Sequence, residues 1–267
     1  MTDKDFDIAE TILRLRRCAG FWALNGMGAA ILAGIEGALW DLKGQIEGEP
    51  VWKLLKGGGA YEKQLCYATG AISNWPIEKL LEKFDTYIAL GFKAVKVASG
   101  FLDDSKFPAV EMTAVGGDAI VEQEREKCRM IREHLDSTGN SDVKICFDAH
   151  QGNLVPGNSA AWDVDTAARV IEAIAPYGVL FYEEVLRYEN VEGYAEVCKR
   201  VAHTGVPVAG GECLTSMNEW KSFSEKSALD VAQPDAAFCC GLSEYVEIAA
   251  MFHKQGKHTA CHSWGVP

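Results

Sequence analysis

The chain has 267 residues, of which 48% are hydrophobic and 24% are charged, and its formal net charge at pH 7 is -12. This length and this balance are typical of one large α/β domain with a full core. The negative charge excludes nucleic acid and anionic membranes as the main partner, because both repel an acidic surface. It is compatible with a small anionic substrate, because a bound metal ion can invert the local field.

The nine cysteines are scattered singly, apart from Cys239 and Cys240, and no pair has Cys-x-x-Cys spacing. In a chain of this length, the missing disulfide pattern indicates reduced thiols and predicts a cytoplasmic protein. The apolar run from Cys18 to Leu42 is interrupted by Glu36 and by several glycines. It therefore predicts a packed helix rather than a membrane span, and the sequence shows no signal-peptide pattern.

The first 56 residues are predicted to be helical. Asp7 to Arg17 is amphipathic, and Gly28 to Gly44 repeats apolar residues at helical spacing. The run Gly57-Gly58-Gly59 predicts a hinge-like break, after which strands and helices alternate. We therefore predict two domains, a helical segment over 1–59 and a (β/α) barrel over 60–267.

The alternating part contains seven predicted strands. They lie near 64–69, 93–97, 143–148, 179–183, 207–210, 229–233 and 258–261. Predicted helices lie near 77–90, 120–135, 164–175, 190–203, 217–226 and 242–255. Residues 99–120 are too many for a bare connection and predict a lid or a substrate loop. A closed barrel needs an eighth strand and helix, so we expect the chain to be truncated.

Five successive predicted strands end at an acidic residue or a histidine, side chains that can bind a metal ion or transfer a proton. These residues are Asp148, Glu183, Glu212, Asp235 and His262, separated by 35, 29, 23 and 27 residues. Each interval holds about one strand, one helix and their loops. In a closed parallel barrel the carboxyl ends of the strands meet at one face, where such barrels carry their active sites.

Three of these residues are predicted to bind a metal ion. Asp148, Glu183 and Glu212 offer the carboxylate oxygens that a hard divalent cation such as Mg²⁺ prefers. A single acid at a strand end is more often a helix cap, but three in consecutive units favour a metal site. Spacing alone leaves open whether Glu183 or Glu184 is the ligand; we choose Glu183.

Asp235 and His262 end the sixth and seventh strands and should be neighbours. A carboxylate that accepts a hydrogen bond from one imidazole nitrogen orients the ring and raises its basicity. We therefore predict that His262 is a general base held by Asp235. The alternative is a structural histidine whose hydrogen bonds are satisfied within the fold.

Two further residues are candidates for the same face of the barrel. His150 follows Asp148 by two residues, so it shares that side if strand geometry continues into the turn. It could serve as a general acid, as a substrate contact or only as a loop residue. Lys93 and Lys96 lie three apart and face opposite sides of their strand, which would allow Lys96 to point towards the metal ligands. We count Lys96, with His150, Asp235 and His262, among the predicted catalytic residues.

The order of these motifs resembles the enolase superfamily, in the branch of mandelate racemase and muconate lactonizing enzyme. Residues 34–56 are similar to the segment that leads from the capping domain of that family into its barrel. The strand-end acids resemble its magnesium ligands, and Asp235 with His262 resembles its Asp–His dyad. Within the branch, Asp148-Ala149-His150 resembles the Asp-x-His motif of acid-sugar dehydratases of the galactonate dehydratase type.

The resemblance implies a Mg²⁺-dependent dehydratase that converts an aldonate or aldarate to a 2-keto-3-deoxy acid through an enediolate. It implies that Asp148, Glu183 and Glu212 bind the metal. His262, paired with Asp235, would remove the α-proton, and His150 would protonate the leaving 3-hydroxyl. A small acid substrate and a symmetric homo-oligomer in the cytoplasm are also implied.

One departure from the family bears on the reaction. Its racemases carry Lys-x-Lys on the second strand, whereas this chain has Lys96 followed two residues later by Ala98. We therefore expect no base from that side, which disfavours a racemase or epimerase. A cycloisomerase of the same branch is a further alternative. So is an inactive truncated barrel that only binds metal, since the terminal segments of the family are not found here.

Overall fold

The structure is a computed structural model that describes residues 6–56, 64–71, 76–99, 117–152, 161–239 and 241–263. In these ranges it contains nine α-helices and seven β-strands. The helices are α1 (Ile8–Ala19), α2 (Gly26–Glu47), α3 (Val51–Lys56), α4 (Ile77–Ala89), α5 (Gly117–Ser137), α6 (Val164–Ile174), α7 (Val191–Val201), α8 (Met217–Glu225) and α9 (Leu242–His253). The strands are β1 (Ala68–Ala71), β2 (Ala94–Ala98), β3 (Lys144–Asp148), β4 (Val179–Glu183), β5 (Val208–Gly210), β6 (Val231–Ala232) and β7 (His258–Thr259).

Sheet order follows chain order from β1 to β7. Each of the first four strand pairs is parallel, from β1–β2 to β4–β5. Parallel neighbours joined through helices are typical of (β/α) folds, whose strands are covered on both faces. The burial of every residue of β2 agrees with this arrangement.

The chain divides into two compact units. The first, here called the helical unit, contains residues 1–64, 212–222 and 232–267, and the second, here called the strand unit, contains residues 65–211 and 223–231. The predicted domain boundary at residue 59 lies in 57–63, outside the described residues. The division into a capping segment and a barrel stays a prediction.

In the strand unit, the helices form where the sequence supplies both a cap and an apolar stripe. Helix α6 begins after Asp163, whose carboxylate accepts a hydrogen bond of 2.7 Å from the amide of Thr166. Helix α7 begins after Asn190, which accepts in the same way from Gly193. Helix α6 buries Ala167, Ala168, Val170, Ile171 and Ile174. Burying these apolar side chains stabilises the unit more than helix propensity does.

In the helical unit, α1 and α2 are joined by a short 3-10 turn over Gly20–Ala23. Gly28 makes the close packing possible, because a β-carbon there would lie 1.7 Å from the carbonyl oxygen of Trp22. Trp220 packs edge-on against Phe252 of α9, with ring centroids 5.9 Å apart. An aromatic pair in this geometry adds about 0.5–1.5 kcal/mol beyond the area that it buries.

Most predicted elements are confirmed to within a few residues. The largest shift concerns the first strand, predicted over 64–69 and found at Ala68–Ala71. Of the predicted loop over 99–120, residues 117–120 belong to α5, and residues 100–116 lie outside the described residues. The predicted hinge over 57–59 also lies outside them.

Two further predictions, on membrane spans and on the cysteines, can be compared with the described residues. In the described ranges, the helices are too short or too polar to span a membrane. The eight cysteines that the structure describes are free thiols.

Candidate active site

The strand unit brings two predicted metal ligands side by side. Asp148 is the last residue of β3, Glu183 is the last residue of β4, and the parallel register pairs them directly. Both side chains are buried. Two neighbouring buried carboxylates need a positive charge nearby, because burial of an unpaired charge is costly.

Lys96 supplies that charge. Its Nζ lies 2.9 Å from Oδ2 of Asp148 and 2.8 Å from Oε1 of Glu183. Lys96 lies two residues before Ala98, which pairs with Asp148, so its long side chain extends along the strand towards the carboxylates. Within this unit Lys96 thus points towards the two predicted ligands, as its place in the strand allows, and its catalytic assignment stays a prediction. Lys93 instead pairs with Asp142 at the surface.

Charge pairing shifts the pKa values of Lys96 and Asp148. Burial acts to lower the pKa of Lys96, but the charges of Glu183 and Asp148 outweigh it and hold that pKa well above its ordinary value. Burial acts to raise the pKa of Asp148, but Lys96 and then His150 outweigh it and lower that pKa. Lys96 therefore remains an ammonium ion at neutral pH, which suits charge balance and does not suit a base.

His150 contacts Asp148, but not through strand geometry. Its φ is +49°, a left-handed conformation, so the extended backbone ends at Asp148 and the expected alternation of strand residues is wrong here. The turn folds back instead: the amide of His150 donates to Oδ1 of Asp148 at 3.0 Å, and Nε2 lies 3.2 Å from Oδ2. The ring is partly exposed, as a residue that meets a substrate must be.

Glu184 occupies a different environment from Glu183. Its φ is +48°, and its carboxylate lies against Gly152, where a β-carbon would come within 2.0 Å of Oε1. Glu183 accepts a hydrogen bond from the ammonium of Lys96, which also donates to Asp148. This grouping favours Glu183 as the ligand, although the assignment stays a prediction.

The helical unit brings together the other three predicted residues. Nδ1 of His262 lies 2.8 Å from Oδ2 of Asp235, which confirms the predicted hydrogen bond. The other ring nitrogen, Nε2, lies 3.2 Å from Oε2 of Glu212. A parallel bridge between Asp235 and His262 places the two side by side, as expected for neighbouring strand ends.

This arrangement can move a proton. Asp235 is itself fixed, because its Oδ1 accepts from the amide of Ala237 at 2.7 Å. A carboxylate in this position can accept the Nδ1 proton of an imidazole, and the second ring nitrogen, Nε2, then faces Glu212. The positive charge that the ring gains on taking a proton would lie between Asp235 and Glu212.

Sequence reasoning missed a buried polar network in the strand unit. The hydroxyl of Tyr182 is hydrogen-bonded to Ser99 at 2.5 Å and donates to Glu124 at 3.1 Å. Lys127 donates to the carbonyl of Ala98 and to Glu124, both at 3.2 Å. The network holds the end of β2 next to Lys96. Its signal was present, since Glu124 and Lys127 lie on the apolar stripe of α5 with Ile120, Cys128, Ile131 and Leu135.

A comparison with protein families identifies the family of this chain. Residues 79–267 match the family described as enolase C-terminal domain-like. The chain belongs to this family. The predicted resemblance to the enolase superfamily is confirmed, and so is the predicted fold class, α/β of the TIM-barrel type.

Solved structures of this superfamily superimpose on almost the whole chain. A racemase from Streptomyces coelicolor A3(2) with bound magnesium is 23% identical with a TM-score of 0.78, covering 97% of this chain and 67% of that one. The 3,6-anhydro-D-galactonate cycloisomerase from Zobellia galactanivorans is 24% identical with a TM-score of 0.77, covering 98% and 64%. The L-talarate dehydratase from Polaromonas sp. JS666, in complex with Mg and L-glucarate, is 26% identical with a TM-score of 0.79, covering 98% and 63%.

These comparisons show the fold and the superfamily, but they do not select one reaction. The three proteins catalyse different conversions on one fold, and identities of 23% and 24% indicate the fold alone. The chain spans between 63% and 67% of their lengths. Its own reaction has to be argued from its residues.

Proposed function

We propose that this chain carries the catalytic residues of a Mg²⁺-dependent acid-sugar dehydratase, which converts an aldonate or aldarate to a 2-keto-3-deoxy acid. The main support is the geometry of the dyad: Nδ1 of His262 lies 2.8 Å from Asp235, and Nε2, the nitrogen that we assign as the base, faces Glu212 at 3.2 Å. Membership of the enolase superfamily is consistent with removal of a proton next to a carboxylate. A small acid substrate, a homo-oligomer and a cytoplasmic location belong to the same proposal.

The residues that we assign to the metal are Asp148, Glu183 and Glu212. The pair in the strand unit already accommodates a cation, because the ammonium of Lys96 lies within 2.9 Å of both carboxylates. Carboxylate oxygens are the ligands that Mg²⁺ prefers. When bound, the ion would stabilise the negative charge that develops on the substrate carboxylate as the α-proton leaves.

In this proposal the protein residues divide the proton transfers. His262 takes the α-proton at Nε2, while Asp235 holds the opposite nitrogen and stabilises the imidazolium. His150 gives a proton to the 3-hydroxyl, which departs as water, and the enol product then becomes the keto acid. Lys96 stays protonated and balances the carboxylates.

The residues in the second half of β2, Lys96 and Ala98, favour a dehydratase over a racemase or an epimerase. A two-base racemization needs a second group that alternates between its protonated and neutral forms. Lys96 is held as a cation by two carboxylates, and the residue two positions later is Ala98. A cycloisomerase, which also needs one base and one acid, is the second candidate, because His262 and His150 would supply both.

Isotope exchange tests the proposal. The full chain is incubated in deuterated buffer with Mg²⁺ and a panel of aldonates and aldarates, and α-proton exchange and keto-acid formation are both measured. His262→Asn should abolish both. His150→Asn should retain exchange while keto-acid formation falls by about 10²–10⁴-fold, the usual contribution of a general acid.

Three results would contradict the assignment. Exchange that survives in His262→Asn and vanishes in His150→Asn would reverse the two roles. Inversion at the α-carbon without loss of water would indicate an epimerase, and formation of a ring without a keto acid would indicate a cycloisomerase.

A further inference from the structure

Helix α2 carries a buried carboxylate that the proposed mechanism does not use. Glu36 lies in the middle of this helix and is almost fully buried, although the residues on the same stripe (Ala29, Leu32 and Ala33) are apolar. A charged side chain in such a position is stable only if it is fully hydrogen-bonded.

The partners of Glu36 lie at the start of another helix of the same unit. Its Oε1 accepts from the amide of Ser243 at 2.9 Å, from the hydroxyl of Ser243 at 2.5 Å and from Nε1 of Trp40 at 3.1 Å. Ser243 belongs to the first turn of α9, whose N-cap residue, Gly241, has no side chain to provide a cap. Glu36 therefore caps α9 from α2, with its charge at the positive end of the helix.

The contact is close enough to require glycine at the cap. A β-carbon on Gly241 would lie 2.1 Å from Oε2 of Glu36, and the φ of this glycine is +112°. Any other residue would collide with the carboxylate and strain the backbone. Glu36 thus fixes both the position and the conformation of the chain where α9 begins.

The segment that Glu36 fixes is the one that carries Asp235. The carbonyl of Asp235 accepts from the amides of Phe238 at 2.9 Å and Cys239 at 2.7 Å, which forms a tight turn directly after it. Cys239 is buried, and its Sγ donates to the carbonyl of Gly241 at 3.8 Å. Hydrogen bonds therefore link Asp235 to the turn that follows it, and link Cys239 of that turn to Gly241, where the helix that Glu36 caps begins.

The N-terminus of α2 makes a similar contact with the loop that follows Glu212. The amide of Gly26 donates to Oγ1 of Thr215 at 2.8 Å. Gly26 and Glu36 are ten residues apart, about 15 Å along an α-helix. Helix α2 thus contacts the segment that follows Glu212 and the segment that follows Asp235, the two residues whose carboxylates flank His262.

We propose that Glu36 is a positioning residue, which sets the orientation of Asp235 and thereby of the His262 imidazole by capping α9. The inference concerns catalysis only if the proposed function is correct, whereas the hydrogen bond between Asp235 and His262 can be observed without any substrate. A helix that lies outside the catalytic residues would then determine the geometry of the base.

The test combines nuclear magnetic resonance with kinetics on the full chain. In protein labelled with ¹⁵N-histidine, the Nδ1 signal of His262 is assigned by its loss in His262→Asn. We expect Glu36→Ala to shift or broaden this signal and to lower kcat by about 10–100-fold with little change in KM, because a small displacement of a base affects mainly the transition state. Glu36→Gln keeps an acceptor for Ser243 and should restore most of both.

Two controls separate positioning from loss of charge or stability. Asp41→Asn removes a negative charge from the same helix at an exposed side chain that contacts only Gln45, 2.6 Å away, in the hydrogen bonds described here. Ile248→Val shortens a buried side chain of α9 and should cost about 0.5–1.5 kcal/mol of stability without touching Glu36. Both should leave the His262 signal in place.

The proposal is overturned if folded Glu36→Ala keeps the His262 signal and kcat of the wild type, or if Ile248→Val changes them as much. If Glu36→Ala does not fold, Ser243→Ala, which removes the 2.5 Å donor, is judged by the same criteria against the same controls. If the wild type converts no sugar acid, the proposed function fails, while the resonance measurement still decides the role of Glu36.

Discussion

The two units hold their acidic residues with different cations. In the strand unit, Asp148 and Glu183 share the ammonium of Lys96, which is buried between them. In the helical unit, Asp235 and Glu212 flank the imidazole of His262, which is also mostly buried. Each arrangement has two carboxylates around one nitrogenous side chain.

The difference lies in the side chain that stands between the two carboxylates. Lysine between two carboxylates keeps its proton at neutral pH, so the strand-unit cluster has a constant charge. A neutral imidazole carries one donor and one acceptor nitrogen, so the side chain in the helical-unit cluster can both accept and donate a hydrogen. The first arrangement suits the binding of a charged group, and the second suits the transfer of a proton.

Removing the permanent charge should have the largest effect. Lys96→Met leaves two buried carboxylates without their cation and should lower the free energy of unfolding by about 3–5 kcal/mol. Lys93→Met removes a lysine three residues away, which pairs with Asp142 at the surface, and should change stability little. Urea unfolding without divalent ions measures both. Equal, small effects in the two variants would contradict the role of Lys96.

Removing the carboxylate of Asp235, the partner of His262, should instead affect turnover. Asp235→Asn replaces the carboxylate that holds Nδ1 of His262, so the ring is held less firmly in its reactive form. We expect kcat to fall about 10²-fold with a smaller effect on stability than in Lys96→Met. Asp142→Asn is the control for a change from acid to amide. An undiminished kcat in Asp235→Asn would exclude a general-base role for the dyad.

Glu212 sharpens the comparison, because we assign it to the metal although it contacts His262. Glu212→Gln removes one anionic oxygen ligand and should weaken Mg²⁺ binding at least about tenfold, or about 1.4 kcal/mol. Calorimetric titration measures the affinity, with Glu192→Gln as a surface control. Unchanged affinity would remove Glu212 from the metal site and leave it as a partner of His262 only.

The smallest expected effect is the acid dependence of the strand unit. Because the pKa of Asp148 is lowered in the folded state, its contribution to stability is present above the unfolded value of about 3.9 and is lost as pH falls through the folded value. The slope of unfolding free energy against pH below about 4 should therefore be shallower in Asp148→Asn, by at most about 1.4 kcal/mol per pH unit. Superimposable slopes for the variant and the wild type would rule out this linkage.

Local patterns were sufficient for most elements and for the choice of candidate residues. Strands and helices were predicted from periodicities of two and about 3.6 residues, which depend only on near neighbours. The strand-end acids followed from the regular return of an acid after each buried strand. The pairing of Asp235 with His262 followed because consecutive parallel strands lie side by side.

The sequence did not determine how a chain bends after a strand. His150 was expected beside Asp148 by strand alternation, but the backbone turns to φ +49° and reaches the same carboxylate by folding back. Glu183 and Glu184 are identical in type and adjacent, so only the register of β3 with β4 separates them. Turn conformation depends on what the surrounding chain leaves room for, as the close approach of Glu184 to Gly152 illustrates.

By itself, the sequence predicted the fold class, the family and the candidate residues, because each produces a local pattern that recurs in order along the chain. Only the tertiary structure decided which charges meet. Glu36 and Ser243 are 207 residues apart, and Lys96 and Glu183 are 87 apart. The only sequence signal for such pairs is a charged side chain on an apolar stripe, which predicts that a partner exists. The packing of distant elements determines which residue that partner is, because burial is stable only where the charge is satisfied.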